Sequence, residues 1–418
     1  MTGPAVMRSV ALLLAITAIA VIAIGCGPLT PSPSGASGSP DGLAASPDGP
    51  APSPTVLPDP KHEVYGFVPY WEMDDTIADH VAATDLTTLG LFSVTHRRNG
   101  KLDDQNGLRR IRGAVGRSMI RAAHDRGTRV EIVYTSFGAA KNRRFYDEPK
   151  AQDRWIAELV GLVEEVGADG INVDVEALPI DLVPQYGAFV GRLRDALRER
   201  LPTGQLSVAT QANEVGAAMA VVAAAAGADR IFLMGYDYRV AGSQPGASAP
   251  IDRMDGEVKD LVWSLDLYSV LGVPPERLLL GLPLYGVTWP VTAPGFLAPS
   301  SGRGDAWVPR RNLGVFADPA FAPLFEPTES VEFYSVPSAY ASPAPSANVP
   351  GVVASPSPEA IAWNAVYYDS PRSLTPKLRL ADARGLAGAG FWAIGYERGL
   401  PAYTDLIATF RAGELPRE

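Results

Sequence analysis

The residue pattern best suited to acid–base chemistry lies in one short run, Asp169-Gly170-Ile171-Asn172-Val173-Asp174-Val175-Glu176. Side chains along a β-strand point to opposite faces in turn. Asn172, Asp174 and Glu176 would therefore share one face of a strand, and the branched apolar residues between them would share the other. Asp174 and Glu176 become neighbours on one face, with backbone positions about 6–7 Å apart.

A carboxyl pair at this spacing can serve as a proton donor near neutral pH. If Asp174 turns toward Glu176, the two groups share a proton and the apparent pKa of the pair rises. A general acid must still hold its proton at the working pH, so this arrangement suits Glu176. The alternative is an exposed edge strand whose polar face meets water. We favour the acid–base interpretation because the run is the fourth of eight core-like runs.

These eight apolar runs alternate with segments of helical period, such as Trp155–Val166 and Tyr186–Arg200. The alternation is typical of an α/β fold in which a parallel sheet closes into a (β/α)8 barrel of the TIM type. Active sites of such barrels lie at the C-terminal ends of the strands. The runs are Val64–Pro69, Leu89–Val94, Val130–Thr135, Gly170–Val175, Leu206–Thr210, Ile231–Met234, Leu278–Leu284 and Gly390–Ile394.

The chain from residue 61 to 418 is longer than the ~250 residues typical of a barrel, and the surplus falls between the seventh and eighth runs. We predict an insertion there, at about residues 290–362. Within it, Ser338–Pro358 is rich in Pro, Ser and Ala, a composition that favours a mobile loop.

The motif resembles the Asp-x-x-Asp-x-Asp-x-Glu signature of glycoside hydrolase family 18, the chitinase-like family, with Asn172 in place of the commoner Asp. That variant is similar to the bacterial peptidoglycan-directed branch, which includes spore cortex-lytic enzymes. Four further stretches resemble family motifs in the expected order along the chain. They are Gly66–Trp71, Met234–Tyr238, Gly281–Gly286 with Trp289, and Gly390–Ala393.

The resemblance implies substrate-assisted hydrolysis with retention, in which the substrate's own N-acetyl oxygen attacks the anomeric carbon. It makes Glu176 the acid and later the base, and Asp174 the residue that holds the acetamido N–H. Tyr236 would bond the acetyl oxygen, Asn172 would support Asp174, and Asp237 would bind substrate.

Further substrate-binding candidates stand at the ends of predicted strands. Trp392 is expected to form a stacking floor under a sugar, although it could instead be core, and the Tyr236–Asp237 pair could be a structural cap. Trp71, Trp289 and Tyr285 are left open between core and cleft. The remaining candidates for the cleft are Met234, Gln211 and Asn213.

The first 26 residues resemble a bacterial export signal that ends in a lipobox, Ala23-Ile24-Gly25-Cys26. The apolar run Val10–Ile24 is shorter than the roughly 20 residues that span a bilayer. We therefore expect Cys26 to be acylated and to anchor an extracytoplasmic lipoprotein, with an ordinary signal or an uncleaved helix as the alternatives. Residues 27–60, rich in Pro, Ser and Gly, are predicted to be a linker.

The amino-acid composition argues against several classes of function. The formal net charge of −10 argues against nucleic acid as a partner. Cys26 is the only cysteine, and the four histidines show no metal-ligand spacing, so no metal or other cofactor is expected. The expected partner is an N-acetylglucosamine-containing glycan, either peptidoglycan or chitin, bound by a monomer. The alternatives are a lectin-like barrel without turnover and a lipoprotein that only docks partners.

Overall fold

Eight parallel strands close into a barrel in the computed structural model, which describes residues 56–338 and 362–416. In chain order the strands are β1 (Glu63–Pro69), β2 (Thr88–Val94), β3 (Arg129–Phe137), β4 (Gly170–Glu176), β5 (Gln205–Gln211), β6 (Arg230–Met234), β7 (Leu278–Pro283), β8 (Gly286–Val291), β9 (Asp305–Trp307), β10 (Leu324–Glu326), β11 (Val331–Pro337), β12 (Trp363–Tyr368) and β13 (Gly388–Trp392). The barrel order is β1-β13-β7-β6-β5-β4-β3-β2. The predicted (β/α)8 fold is confirmed.

Helices follow the barrel strands and cover the outside of the barrel. The apolar face of β4, which carries Ile171, Val173 and Val175, belongs to the large core between strands and helices. The α-helices are α1 (Ile77–Ala83), α2 (Asn106–Arg112), α3 (Ala114–Asp125), α4 (Ala139–Tyr146), α5 (Pro149–Val166), α6 (Val183–Arg200), α7 (Glu214–Ala225), α8 (Leu261–Val270), α9 (Leu313–Ala317), α10 (Pro371–Ala383) and α11 (Pro401–Ala412).

The barrel lumen is filled by its own aromatic cluster. Phe232 of β6 packs on Phe67 at 4.9 Å and on Tyr65 at 5.8 Å between ring centroids. A Cβ atom at Gly281 or Gly390 would lie 2.3 or 2.5 Å from the Phe232 ring. These two glycines, on neighbouring strands β7 and β13, therefore leave the space that one large side chain fills.

The insertion between β7 and β13 is a separate antiparallel sheet with the order β10-β11-β12-β8-β9. It extends from Gly286 to Tyr368, a little beyond the predicted 290–362. Trp289 is fully buried in its core, 5.7 Å from Tyr367, so this tryptophan packs the insertion and lies outside the cleft. Of the predicted mobile loop Ser338–Pro358, all but the first residue lies outside the described residues.

A buried ion pair ties the insertion to the barrel. Arg239, in the segment after β6, is 1% exposed, and Glu329, in the insertion, is fully buried. The guanidinium donates two hydrogen bonds to the Glu329 carboxylate, at 2.6 and 2.7 Å. Bidentate geometry makes such a pair strong and directional. The ion pair holds the insertion against the segment after β6, which also carries Tyr236 and Asp237.

The described chain enters at the N-terminal end of the barrel. Leu57 N–H donates to the carbonyl of Arg126, in the turn between α3 and β3, at 3.2 Å. Arg411, at the end of α11, donates to the carbonyl of Pro58 at 2.6 Å. The last residues of the predicted linker thus contact the face opposite the C-terminal strand ends. Cys26 and the predicted leader lie outside the described residues, among which no helix is long and apolar enough to cross a membrane.

Candidate active site

A cleft of about 760 Å³ opens at the C-terminal ends of the barrel strands. Its wall combines carboxylates, amides and aromatic rings, the mixture expected of a polar-ligand site. Of the residues predicted from the sequence, the cleft wall includes Asp174, Glu176, Gln211, Asn213, Met234, Tyr236, Asp237, Trp71 and Trp392. Asn172 and Tyr285 do not line the cleft.

The alternation of side chains along strand β4, which the sequence predicts, places Asp174 and Glu176 on the inward face of the strand. Asn172 is fully buried in the lumen, Asp174 is 5% exposed, and Glu176 is half-buried at the mouth. Each step of two residues moves one layer from the dry lumen toward the cleft. The pair therefore stands where the barrel changes from a packed interior to an open site.

Burial sets the protonation of this pair. Burial raises the pKa of Asp174 well above its usual value, and the charge of Glu176 raises it further. The pKa of Glu176 is also raised, first by burial and then by the charge of Asp237. Two carboxyls this close in a dry site do not both ionise readily. The pair therefore retains a proton at higher pH than isolated carboxyls would, as an acid catalyst requires.

One oxygen of Asp174, Oδ1, is buried without a hydrogen-bond partner among the residues that the structure describes, and so is Oδ1 of Asn172. Buried acceptors without partners are costly. Asp174 also lines the cleft, so its carboxyl group is within reach of a bound ligand.

Two amides hold Glu176. Gln211 Nε2 donates to Glu176 Oε2 at 3.2 Å. Asn142 Nδ2 donates to the Glu176 backbone carbonyl at 2.7 Å, and Ser136 Oγ donates to Asn142 Oδ1 at 2.7 Å. The carboxyl is thus oriented from β5 and its backbone from α4.

Tyr236 and Asp237 follow β6 on the other side of the cleft. The charge of Asp174, after burial itself, raises the pKa of Tyr236 well above its usual value, so the phenol stays protonated and can donate. Asp237 has a left-handed backbone with φ of 63°, and its N–H donates to Ser248 Oγ at 3.0 Å. Tyr285 donates its hydroxyl hydrogen to the Asp237 carboxylate.

Trp392 forms the floor of the cleft. Its ring contacts Phe92 at 4.7 Å and Phe67 at 5.8 Å between centroids, which holds it from below. Trp71 remains 45% exposed, and its indole N–H donates to the Tyr396 hydroxyl at 3.0 Å. Fixed aromatic rings with an open face suit stacking of a sugar ring.

Glu131, which lies one layer beneath the carboxyl pair, was not among the site residues predicted from the sequence. This glutamate of β3 is fully buried and accepts hydrogen bonds from Ser207 Oγ at 2.5 Å and Tyr65 Oη at 2.8 Å. Asn172 Nδ2 in turn donates to Ser207 Oγ at 2.7 Å. The available signal was a glutamate inside the otherwise apolar start of the run Val130–Thr135.

Comparison with known proteins gives the family. The family model "Glycosyl hydrolases family 18" matches residues 62–397. The chain belongs to this family. It is 28% identical over 174 residues to the putative sporulation-specific glycosylase YdhD of Bacillus subtilis, across 38% of this chain and 37% of that protein. The chain therefore matches little more than a third of that curated relative's length.

Solved structures agree on the fold. The spore cortex-lytic enzyme SleL of Bacillus cereus superposes with a TM-score of 0.63 at 18% identity, covering 83% of this chain and 74% of that one. The family 18 chitinase of Cycas revoluta in complex with (GlcNAc)3 gives 0.66 at 18% identity, covering 83% and 99%. At such identities the likeness shows the barrel fold alone.

Glu131 should make stability depend on pH. Burial raises its pKa to about 7, and the hydrogen bonds from Ser207 and Tyr65 lower it only in part. Between the unfolded pKa of about 4.3 and the folded pKa, the native state binds the extra proton. Stability from this group is therefore present at low pH and is lost as pH rises through about 7.

Glu131→Gln, a neutral mimic of the protonated form, should flatten the decline in the free energy of unfolding between pH 5 and pH 9, measured by urea denaturation. The control Glu165→Gln changes an exposed carboxylate, 50% exposed in its pair with Arg112. Equal pH slopes for wild type and Glu131→Gln would show that Glu131 ionises normally.

Proposed function

We propose that this protein hydrolyses β-1,4-linked N-acetylglucosamine bonds. The observation that carries the proposal is the buried Asp174–Glu176 pair on the cleft wall, in which both pKa values are raised. Family membership supports it. The sugar would stack on Trp392, with its glycosidic oxygen near Glu176.

In the proposed reaction Glu176 gives its proton to the leaving oxygen and then, as a carboxylate, takes a proton from water. The raised pKa supplies the proton at the first step. Gln211, which donates to Glu176 Oε2, stabilises the carboxylate that the first step produces.

Asp174 and Tyr236 would act on the acetamido group. The carboxylate of Asp174, which lines the cleft, would accept its N–H, and the phenol of Tyr236 would donate to its oxygen. Together they would hold the acetyl oxygen against the anomeric carbon, so that the substrate itself supplies the nucleophile. This differs from the two-carboxylate scheme, in which an enzyme carboxylate attacks.

Peptidoglycan is the substrate that we propose over chitin. Asn172 is the variant found in the peptidoglycan-directed branch of the family, and the names of two matched proteins, one a spore cortex-lytic enzyme and the other a sporulation-specific glycosylase, agree with it. A cell-surface location, proposed below, would place the cleft near such a polymer.

Glu176→Gln should abolish turnover and keep sugar binding, because glutamine fills the same space without an acidic proton. A loss of at least ~10²–10⁴-fold is expected for removal of a general acid. Release of products from an N-acetylglucosamine oligomer, with calorimetry for binding, measures both. Turnover within twofold of wild type would refute the assignment of Glu176. Absence of turnover in the wild type, with binding intact, would identify a lectin-like barrel.

Asp174 should never become covalently attached to sugar. Substrates without the 2-acetamido group should be nearly inert, and a thiazoline analogue of the ring-closed intermediate should inhibit because it resembles the transition state. Mass spectrometry of enzyme quenched during turnover of an activated N-acetylglucosaminide is the measurement. A glycosyl adduct on Asp174 would establish the two-carboxylate scheme instead.

We also propose that Cys26 carries a lipid that anchors the protein to a membrane, on the strength of the lipobox resemblance in Ala23–Cys26. Cys26→Ser should then release the protein into the soluble fraction, since acyl chains contribute about 0.8 kcal/mol per buried methylene. Fractionation with a salt wash is the measurement. A Ser variant that stays in the membrane fraction would point to an uncleaved helix.

A further inference from the structure

Exposed cations form a continuous surface beside the cleft, although the whole chain is acidic at −10. A groove of about 770 Å³ is lined by five cationic side chains and two carboxylates, those of Asp147 and Glu148. We call the cationic set the basic track, and it consists of Arg97, Arg98, Arg144, Lys150 and Arg154.

The basic track joins the cleft without a break. Lys141 lines the catalytic cleft and also a small hollow of about 180 Å³. Arg98 and Arg144 line that same hollow and then the larger groove. A chain of cationic side chains therefore leads from the cleft that holds Glu176 onto the outer surface.

The chain topology explains this adjacency. Arg97 and Arg98 stand in the segment after β2, and Lys141 and Arg144 stand on α4 after β3. Both segments leave the barrel at the C-terminal strand ends, the face that carries the cleft. Residues three apart on a helix share a face, so Lys141 and Arg144 point the same way from α4.

Several of these cations are free to bind a ligand. Arg98, Arg144 and Lys150 are exposed and form no ion pair with another described residue. Arg97 is paired with Asp103 at 3.1 Å, and Arg154 donates to the carbonyl of Asn99 at 3.2 Å. Two of the unpaired cations, Arg98 and Arg144, line the hollow next to the cleft, where a ligand leaving the cleft would pass.

We propose that the basic track binds the carboxylates of a glycan strand that bears acidic peptides, and so selects such strands over neutral ones. This inference rests on the proposed function and names its substrate class. A neutral N-acetylglucosamine polymer offers these cations no partner, whereas the peptides on peptidoglycan carry carboxylates beyond the sugars that occupy the cleft. Guanidinium groups bind carboxylates bidentately.

Anionic lipid head groups are the competing ligand for such a surface. The track lies on the cleft face, and the chain enters the barrel at the opposite face through Leu57 and Pro58. The track is continuous with the catalytic cleft through Lys141, Arg98 and Arg144, so a glycan that occupies the cleft reaches the track directly. This continuity favours the glycan.

The test uses the double substitution Arg98→Ala with Arg144→Ala in the full chain. Two substrates are compared, a neutral N-acetylglucosamine oligomer and a soluble peptidoglycan fragment with acidic peptides. We expect kcat/KM for the fragment to fall about tenfold through KM, the size of two exposed ion contacts, and kcat/KM for the neutral oligomer to stay within about twofold. The control variant loses the same amount of positive charge away from the track, through Arg121→Ala on α3 and Arg200→Ala on α6. It should keep kcat/KM unchanged for both substrates.

Salt gives a second readout. Raising ionic strength from about 50 to 300 mM should weaken the wild-type preference for the fragment and leave the double variant almost unaffected, because exposed charges are screened. Binding to the inactive Glu176→Gln protein, by calorimetry, repeats the comparison without turnover. It separates failure of this inference from failure of the proposed hydrolysis.

Three results would overturn the inference. One is an equal loss on both substrates, which would mean structural damage. Another is an unchanged preference for the fragment in the double variant. The third is loss of binding to vesicles with anionic lipids, with fragment binding intact, which would assign the track to a membrane.

Discussion

Desolvation of two carboxyls on one face of β4 is the constraint on which the site depends. Strand alternation points both Asp174 and Glu176 inward, and closure of the barrel removes water from below them. In water the two groups would both be ionised at neutral pH. Packed against the aromatic lumen, they keep a proton to higher pH than they would in water, and Gln211 donates a hydrogen bond to the Glu176 carboxyl group of this pair.

A hydrogen-bonded polar layer beneath the pair makes this arrangement tolerable. A third permanent charge at position 172 would raise the cost of burial further, and Asn172 avoids it while still donating to Ser207. Glu131 below them ionises near neutral pH, yet three side chains donate hydrogen bonds to it, those of Tyr65, Ser207 and Gln205. The lumen therefore contains packed aromatic rings, hydrogen-bonded polar groups around Glu131 and Asn172, and the carboxyl pair at the mouth.

The barrel and the inward face of β4 could be predicted from the sequence because both follow from short-range patterns. These patterns are the alternation of strands with helices and the alternation of side chains along one strand. Residues 170–175 were placed on a strand that extends only one residue further. Contacts between distant segments left no such signal. Arg239 and Glu329 are 90 residues apart, and Glu131 and Ser207 are 76 apart. Trp289 could not be assigned to core or cleft until β8 was seen to pair with β12.

The Arg239–Glu329 pair limits how the inserted sheet could be removed or exchanged, by engineering or in evolution. A barrel trimmed of residues 286–368 would keep Arg239, three positions after Tyr236, without the Glu329 carboxylate that accepts its two hydrogen bonds, and would leave it paired with Asp255 at 3.0 Å. Loss of a partner from a buried pair is destabilising, and Tyr285, which orients Asp237, adjoins the same junction. The antiparallel sheet therefore cannot be removed without loss to the barrel. A homologous sheet that replaced it would need a carboxylate at the position of Glu329.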